Sequence, residues 1–329
     1  MQFDDRLSLQ EEILKLKTKK KAIILSHNYQ RDEVQDAADF VGDSLELSRI
    51  AATIECDIIL FAGVTFMAES AAILSPEKTV FTTELDAICP MADMIRVDSP
   101  RPEIKKFPGF DNPPPYIFPR DFTLRDIKNK YKGVPVVAYV NTTADVKAES
   151  DICCTSANVV NVVESLSDER VICIPDKNLS QWAAKNTKKE IIAWDGFCHI
   201  HERVRIEDVR KARKEHPNAL LMAHPECRFE VLEIADHVTS TSGMLRFAKA
   251  STEKEFIVGT EIGLLYRLRK ENTDKIFYPL RKDMICPQMK KTTLNSLMRA
   301  LKENTFLIQL PEDIRVPAKK ALDRMLMVR

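Results

Sequence analysis

Three cysteines of this 329-residue chain close three similarly spaced segments. Each segment starts at a histidine or a tyrosine, and its cysteine follows 62, 59 and 62 residues later in the three copies. The start and end residues are His27 and Cys89, Tyr139 and Cys198, and His224 and Cys286. A spacing that recurs in this way indicates three copies of one supersecondary unit. If the copies pack around a common axis, the three thiols meet there and form a metal or cluster site with one ligand from each copy.

Two further positions recur inside each segment. A small hydroxyl residue stands seventeen residues after each start, at Ser44, Ser156 and Thr241. An apolar run ends thirty-six residues after each start, at Gly63, Pro175 and Thr260. The hydroxyl residues, together with Ser240, lie where helices are predicted to begin. Their side chains and the nearby backbone N–H groups can hold anions, although Ser and Thr at such positions also act as simple helix caps.

Three thiolates leave one coordination position of a metal site open. They suit a zinc ion that takes one more ligand, and they equally suit a [4Fe-4S] cluster with one iron free of protein ligands. His199 or His201 can supply a fourth ligand. The chain has no CxxC pair, which argues against a structural zinc ribbon. The remaining cysteines are predicted to be small buried apolar residues: Cys56, Cys153, Cys154, Cys173 and Cys227.

The elements that must position these residues alternate between strand and helix. The runs KAIILS, VPVVAYV and ALLMAH, one at the start of each segment, are typical of buried parallel strands. A helical pattern follows each run, so the chain is predicted to be α/β with parallel sheets and short crossovers. Ligands bind at the carboxyl ends of strands in such sheets, and the repeated positions lie there. Ser8 and Glu11 form a predicted capping box for an amphipathic helix before the first strand.

Length and composition limit the possible classes of protein. A chain of 329 residues is too long for one hydrophobic core, so two or three domains are expected. The formal net charge of zero gives no electrostatic reason to expect nucleic acid or an anionic membrane as a partner. Only eight glycines are present, and no glycine-rich phosphate loop occurs, which argues against nucleotide binding of that kind.

The location of the protein is predicted from its first residues and its apolar stretches. The longest apolar stretch, residues 58–68, is far too short to span a membrane. The start, MQFDDRLSLQEE, lacks the basic and apolar segments of a secretory signal. A cytoplasmic, reducing location is therefore expected, where cysteines stay free, bind metals or take part in catalysis.

The interval between the first two segment starts is longer than the next one. The excess falls in residues 95–130, which contain seven prolines between Pro100 and Pro119. Because proline disfavours both regular helix and central strand, the segment is predicted to be an extended surface loop.

Motifs spread over residues 20–300 resemble those of the quinolinate synthase family, the iron–sulfur enzymes of de novo NAD synthesis. They occur in order, and only the proline-rich stretch is unmatched. They include SHNYQRDEVQDAADFVGDSLELS, DAICPMADM, YVNTTADVKAESDICCTSANVV, GFCHIHERV, AHPECRFEVLEIADHVTSTSGM and ICPQMKKTTLNSL. One departure is Asn28, where the family often has a second aromatic residue.

The resemblance implies the architecture. Three similar αβα domains with short parallel sheets are expected around a pseudo-threefold axis, with a [4Fe-4S] cluster and the active site at the centre. The expected first domain covers residues 1–94, and the second covers 95–199 with the proline-rich insertion 95–130. The third covers 200–288, and a C-terminal helical segment, 289–329, is expected to pack back on the first domain.

The resemblance also implies the reaction. A transferase-class synthase of this family condenses iminoaspartate (iminosuccinate) with dihydroxyacetone phosphate and releases phosphate and two waters. The open iron of the cluster is expected to act as a Lewis acid. Aspartate oxidase or aspartate dehydrogenase is the expected transient partner that supplies the imine. Two alternatives are another [4Fe-4S] hydro-lyase and a zinc-stabilised protein that binds an acidic metabolite without turnover.

The roles of individual residues follow from the same resemblance. The cluster ligands are expected to be Cys89, Cys198 and Cys286. Glu226 and Tyr29 are the expected acid and base. Substrate binding is expected from His27, Ser44, Tyr139, Asn141, Ser156, His224, Glu226, Ser240 and Thr241. His201 is expected to support the cluster without ligating it, and Met67 to pack the pocket.

Overall fold

A computed structural model of the chain describes residues 3–100, 119 and 121–328. These residues form three four-stranded sheets in which neighbouring strands are parallel. In each sheet the first strand lies between the second and the third, and the fourth lies outside the third. The prediction of an α/β protein with three similar units of short parallel strands is confirmed.

The first unit follows helix α1 (Phe3–Lys20). Its strands are β1 (Ala22–His27), β2 (Phe40–Gly42), β3 (Ile58–Ala62) and β4 (Thr79–Thr82). The connections carry α2 (Asp32–Ala37), α3 (Ser44–Thr53) and α4 (Thr65–Leu74). Ile24 of β1 and Leu60 of β3 are fully buried, as expected for parallel strands that helices cover on both faces.

The second unit follows helix α5 (Leu124–Lys130). Its strands are β5 (Val136–Tyr139), β6 (Ile152–Cys154), β7 (Arg170–Ile174) and β8 (Glu190–Ala193). The connections carry α6 (Ala144–Ala148), α7 (Val159–Ser165) and α8 (Lys177–Asn186). Every residue of β5 is buried, so this strand lies in the core of the unit.

The third unit follows helix α9 (Ile206–Glu215). Its strands are β9 (Leu220–Ala223), β10 (His237–Val238), β11 (Glu255–Gly259) and β12 (Ile276–Pro279). The connections carry α10 (Phe229–Leu232), α11 (Thr241–Ala250) and α12 (Leu264–Glu271). One helix thus leads into each sheet, so the repeat also includes the element before the first strand.

Two helices complete the described chain: α13 (Leu294–Glu303) and α14 (Glu312–Met327). Helix α13 packs on α1 and β3 of the first unit, whereas α14 packs on α6 and β6 of the second unit and on α4 of the first. The C-terminal segment therefore contacts two units. None of the described helices combines the length and the apolarity needed to cross a membrane.

The structure differs from two local predictions. Helix α1 begins at Phe3, so Ser8 and Glu11 lie inside it and do not form a capping box at its start. Serine is tolerated there because tertiary packing, with Ile13 fully buried, holds the helix. The predicted loop over 95–130 is wrong at its end, where α5 begins after a capping box of Thr123 and Asp126. Its prolines end at Pro119, and residues 101–118 and 120 lie outside the described part.

The carboxyl ends of the strands carry the positions that repeat in the sequence. The three segment starts close or directly follow the first strands β1, β5 and β9. The three hydroxyl residues follow the second strands, and the three cysteines lie in loops after the fourth strands β4, β8 and β12. The shared topology is therefore what brings equivalent residues of the three units together.

Candidate functional site

Loops of all three units line one cavity. Its walls contain every predicted site residue except Ser240. These residues are His27, Tyr29, Ser44, Met67, Cys89, Tyr139, Asn141, Ser156, Cys198, His201, His224, Glu226, Thr241 and Cys286. The segment starts, the small hydroxyl residues and the closing cysteines of the repeat therefore lie together, and the residues that the family resemblance implies lie beside them.

The three segment-closing cysteines have the same local environment. Backbone N–H groups two or three residues further along the chain lower the pKa of each thiol and so favour its thiolate form. These groups belong to Met91 and Ala92 for Cys89, to His201 for Cys198, and to Gln288 and Met289 for Cys286. Such N–H groups stabilise thiolates that bind metal, and hydrogen bonds to sulfur also tune iron–sulfur clusters. The site therefore fits a metal cofactor held by thiolates.

Burial raises the pKa of all three thiols, that of Cys286 to about 11. Each thiol is consequently protonated at neutral pH unless a metal displaces the proton. Cofactor binding at this site must release protons, as is usual for thiolate ligands.

The other five cysteines lie outside the cavity lining. Cys153, Cys154, Cys173 and Cys227 are buried and free, and Cys56 is partly exposed and free. The Sγ atom of Cys227, which follows the site residue Glu226, donates to the backbone carbonyl of Gly259 at 3.5 Å. The prediction of buried cysteines is confirmed for four of the five, whereas it is wrong for Cys56, which lies in the connection between α3 and β3.

A second potential metal-binding group adjoins the first cysteine set. The ligand atoms of Cys198, His201 and Glu226 all lie within 4.8 Å of one another. However, the same His201 nitrogen, Nδ1, contacts both partners, at 3.1 Å from Cys198 Sγ and 2.8 Å from Glu226 Oε2. This nitrogen is therefore already engaged in hydrogen bonds, which favours the predicted supporting role of His201.

A chain of hydrogen bonds joins Tyr29 to Glu226 through two intervening side chains. The Tyr29 hydroxyl lies 2.5 Å from Thr260 Oγ1, which lies 2.9 Å from His201 Nε2. The other ring nitrogen, His201 Nδ1, lies 2.8 Å from Glu226 Oε2. With Nδ1–H donating to the carboxylate, Nε2 accepts from Thr260, and the threonine oxygen accepts from Tyr29. Protons can therefore pass between the two predicted acid–base residues.

Glu226 is a buried carboxylate in the cavity wall. Burial alone would raise the pKa of its carboxyl group, but the neighbouring His224 and His201 and a hydrogen bond from Tyr139 overcome this and lower it. Burial and the charge of Glu226 raise the pKa of Tyr29 and of Tyr139 well above 10.0. Glu226 is thus an ionised acceptor, and both tyrosines are protonated donors.

His27 and His224 adopt the same turn geometry in the first and third units. The backbone N–H of Tyr29 donates to His27 Nδ1 at 3.2 Å, and that of Glu226 donates to His224 Nδ1 at 3.3 Å. Burial lowers the pKa of His27 to about 4 and that of His224 to about 3. Both rings are therefore neutral, and their proton is on Nε2. For His224 this nitrogen lies 3.1 Å from Ser156 Oγ.

The N-termini of α3 and α11 border the cavity through their first residues, Ser44 and Thr241. Ser240 instead caps α11, because its Oγ accepts from the backbone N–H of Gly243 at 3.2 Å. It also donates to Asp43 Oδ2 at 3.0 Å, and Asp43 in turn caps α3. The two helix ends are thus tied together, and their dipoles favour anions nearby.

Two amides of the site region have different surroundings. Asn141 lines the cavity, and its buried Oδ1 oxygen has no hydrogen-bond partner among the described residues. Asn28 is fully engaged, since its Nδ2 group donates to Thr241 Oγ1 at 2.9 Å and its Oδ1 accepts from Arg267 at 3.1 Å. Asn141 is therefore available to a ligand, whereas Asn28 joins the first unit to the third.

Comparison with known proteins decides the family. Residues 11–327 match the family described as NadA: Quinolinate synthetase A protein. The chain belongs to the quinolinate synthase family. A quinolinate synthase of Thermodesulfovibrio yellowstonii is 55% identical over 317 residues, which cover 96% of this chain and 97% of that protein. One of Methanoregula boonei is 50% identical over 324 residues, 98% of this chain and 99% of that protein.

Several residues of this quinolinate synthase family site were not identified from the sequence. Asp43 and Glu261 line the cavity, and Thr260 joins Tyr29 to His201. Thr260 stands at a repeated position of the sequence, which is the signal that points to it. Asp43 carried no such signal, because an aspartate directly before a helix is an ordinary N-cap.

Proposed function

We propose that this enzyme condenses iminoaspartate with dihydroxyacetone phosphate to quinolinate and releases phosphate and two waters. The observation that carries the proposal is the convergence of three cysteine loops and one proton-transfer chain on a single cavity. Membership of the quinolinate synthase family supports the product. Imine formation, enolisation and dehydration each require proton transfer next to a bound carbonyl or hydroxyl group.

The cofactor of the proposed reaction is a [4Fe-4S] cluster. Cys89, Cys198 and Cys286 would hold it, one from each unit, and three thiolates leave one iron without a protein ligand. When bound, such a cluster offers an open Lewis-acid position for a carboxylate, hydroxyl or imine of the substrate.

The binding of two anionic substrates is assigned to neutral donors and helix N-termini. His27 and His224 present N–H groups without a positive charge, and Ser44, Ser156 and Thr241 add hydroxyl groups. The free Oδ1 of Asn141 accepts from an amine or a hydroxyl group. Neutral donors suit the reaction because they orient carboxylates and phosphate and still allow the products to leave.

Proton transfer is assigned to the chain from Tyr29 to Glu226. Tyr29 gives or takes a proton at the substrate, and Thr260 and His201 pass its replacement to or from Glu226. Because Glu226 is ionised and buried, it stabilises a proton that arrives on His201. The same chain can work in both directions, as a base for enolisation and as an acid for departure of a hydroxyl group.

Burial of the site protects the imine. Tyr29, Tyr139, His201 and Glu226 are all at most 9% exposed. An imine hydrolyses readily in water, so an enclosed cavity favours condensation over hydrolysis. We place the reaction in de novo NAD biosynthesis in the cytoplasm, with aspartate oxidase or aspartate dehydrogenase as the transient partner that supplies the imine.

Anaerobic purification followed by metal and product analysis tests the proposal. The protein is expected to contain about four iron and four sulfide per chain. With iminoaspartate generated in the assay and dihydroxyacetone phosphate, it is expected to form quinolinate. Zinc in place of iron, or a cluster protein that only dehydrates a hydroxy acid, would overturn it.

A further inference from the structure

Each unit contributes one turn to the cavity, and each turn begins at a repeated segment start. The first turn comprises residues 27–29, the second 139–142 and the third 224–226. Together they carry six of the predicted binding and acid–base residues: His27, Tyr29, Tyr139, Asn141, His224 and Glu226. The positions of these side chains therefore depend on what fixes the three turns.

The third turn is held by the second unit. Asn178, the second residue of α8, donates from Nδ2 to the backbone carbonyl of Glu226 at 3.0 Å. The same Nδ2 group lies 2.8 Å from Glu202 Oε2. Glu202 is only 5% exposed, and Lys177 at 2.9 Å and Arg228 at 3.0 Å balance its charge. We call these contacts of Asn178 the third clamp, because they join α8 to the third turn, which carries Glu226.

The first turn is held by the third unit. The Lys290 ammonium group donates to the backbone carbonyl of Tyr29 and lies 2.9 Å from Glu261 Oε1. Glu261 is fully buried and also accepts from the backbone N–H groups of Gly263 at 2.7 Å and Cys286 at 3.1 Å. One carboxylate thus fixes the Tyr29 turn relative to the third cysteine loop.

The second turn is held at the junction with the first unit. The fully buried Lys147 donates to the backbone carbonyl of Thr142. Burial lowers the pKa of Lys147, and the charge of Glu69 from α4 opposes this shift. Glu69 also accepts from the backbone N–H of Ala144 at 3.0 Å. Lys147 thus holds the turn of its own unit, and Glu69 of the first unit bonds the backbone just after that turn.

We propose that Asn178, Lys290 and Lys147 are positioning residues for the three site turns. Asn178 and Lys290 each bond a turn of another unit, whereas Lys147 bonds the turn of its own unit. A glutamate acts on each of them: Glu202 accepts from Asn178, Glu261 pairs with Lys290, and the charge of Glu69 acts on Lys147. The three clamps differ in chemistry but act on the same feature, a backbone carbonyl at the end of a site turn. Their effect on turnover rests on the proposed function, whereas their effect on the turns does not.

Amide hydrogen exchange and kinetics on the cluster-loaded protein test the third clamp. Asn178→Leu removes the bond to the Glu226 carbonyl and leaves Glu202 paired with Lys177 and Arg228. Exchange in peptides over residues 224–228 should become roughly 2- to 10-fold faster, the worth of one hydrogen bond. The kcat per intact cluster should fall roughly 10- to 100-fold, because small displacements of reacting groups are costly.

Asn186→Leu is the matched control. Asn186 is an exposed residue of the same helix α8, and its Nδ2 group bonds the backbone carbonyl of Trp182 at 2.8 Å, away from the turn. Exchange and kcat should therefore stay within about twofold of wild type. Unchanged exchange in Asn178→Leu, or an equal effect in Asn186→Leu, would overturn the clamp. If Asn178→Leu exchanges faster but the wild-type protein makes no quinolinate, the clamp is supported and the proposed function is refuted.

The first and second clamps are tested in charge-balanced pairs. Lys290→Met with Glu261→Gln, and Lys147→Met with Glu69→Gln, remove both charges and so leave no unpaired buried carboxylate. Exchange should rise in peptides over the first turn in one pair and over the second turn in the other. A purely structural role would lower the melting temperature without this selectivity. Equal changes over all three turns, or none, would therefore contradict the assignment.

Discussion

His201 Nδ1 lies 2.8 Å from Glu226 Oε2, and both side chains are at most 3% exposed. The opposite ring nitrogen of His201 contacts Thr260, which in turn contacts Tyr29. The imidazole therefore connects two groups that belong to the first and third units, although it follows a cysteine of the second. The proposed proton-transfer chain therefore depends on the contact between Tyr29 of the first unit and Thr260 of the third.

Replacement of Glu226 by glutamine tests whether this residue takes part in proton transfer at its end of the hydrogen-bond chain. Glu226→Gln keeps the size of the side chain and an oxygen that accepts from His201, but it cannot titrate. The kcat should fall by roughly two to four orders of magnitude. Cluster absorption and substrate-induced spectral changes should remain, since no ligand is lost.

Glu230→Gln is the control for Glu226→Gln. Glu230 lies on α10 close to the turn and pairs with Arg228 at the surface, outside the cavity lining. The Glu230→Gln variant should retain the kcat of the wild type. Near-normal turnover in Glu226→Gln would mean that Glu226 has only a structural role, and Tyr29 would become the main candidate for proton transfer.

Substitution of Thr260 tests whether protons pass along the hydrogen-bond chain from Tyr29 to Glu226. Thr260→Val has nearly the same shape but lacks the hydroxyl group that lies between Tyr29 and His201. The kcat should drop by roughly two orders of magnitude or more, whereas Thr260→Ser, which keeps the hydroxyl, should recover most of it. The comparison is made at saturating substrate. Equal activity of the valine and serine variants would show that protons take another route.

The cysteines are tested by iron content. Changing Cys89, Cys198 or Cys286 to serine should abolish cluster assembly, because each supplies the only cysteine ligand of its unit to the cavity. Cys56→Ser is the matched control, since Cys56 is free and lies outside the cavity lining. It should bind iron as the wild type does. Full iron occupancy in Cys198→Ser would refute the ligand set.

The protonation of the anchoring histidines is tested by nuclear magnetic resonance of histidine-labelled protein. Burial lowers the pKa of His27 from 6.5 to about 4 and that of His224 from 6.5 to about 3. Their ring signals should therefore not titrate above about pH 5. Since the folded-state values are depressed, the associated stability is present above 6.5 and is lost as the pH falls toward 4. Ring signals of His27 and His224 that titrate near 6.5 would contradict neutral anchors.

Many site residues could be predicted from the sequence because equal offsets in the repeat correspond to equivalent strand ends in the three sheets. Residues such as Ser156 and Cys198, which occupy matching offsets, lie at matching strand ends, and parallel sheets bring such ends together. The roles of single residues within the cavity follow only from the resemblance and the geometry.

Contacts between units could not be predicted in the same way. Glu202 and Asn178 meet because α8 of one unit approaches a turn of another, and their spacing in the chain gives no periodic signal. Ser240 has the residue type and the position of an anion ligand, but these do not distinguish such a ligand from a helix cap. In the structure its side chain caps α11 and donates to Asp43, and it lies outside the cavity lining.

Isotope tracing of the product tests the central claim most directly. The anaerobically reconstituted enzyme is supplied with iminoaspartate formed from nitrogen-15 aspartate and with uniformly carbon-13-labelled dihydroxyacetone phosphate. We predict quinolinate that contains the labelled nitrogen and all of the labelled carbons, with one phosphate released per product molecule. Phosphate release or dehydration without a product that unites both labels would contradict the proposed condensation.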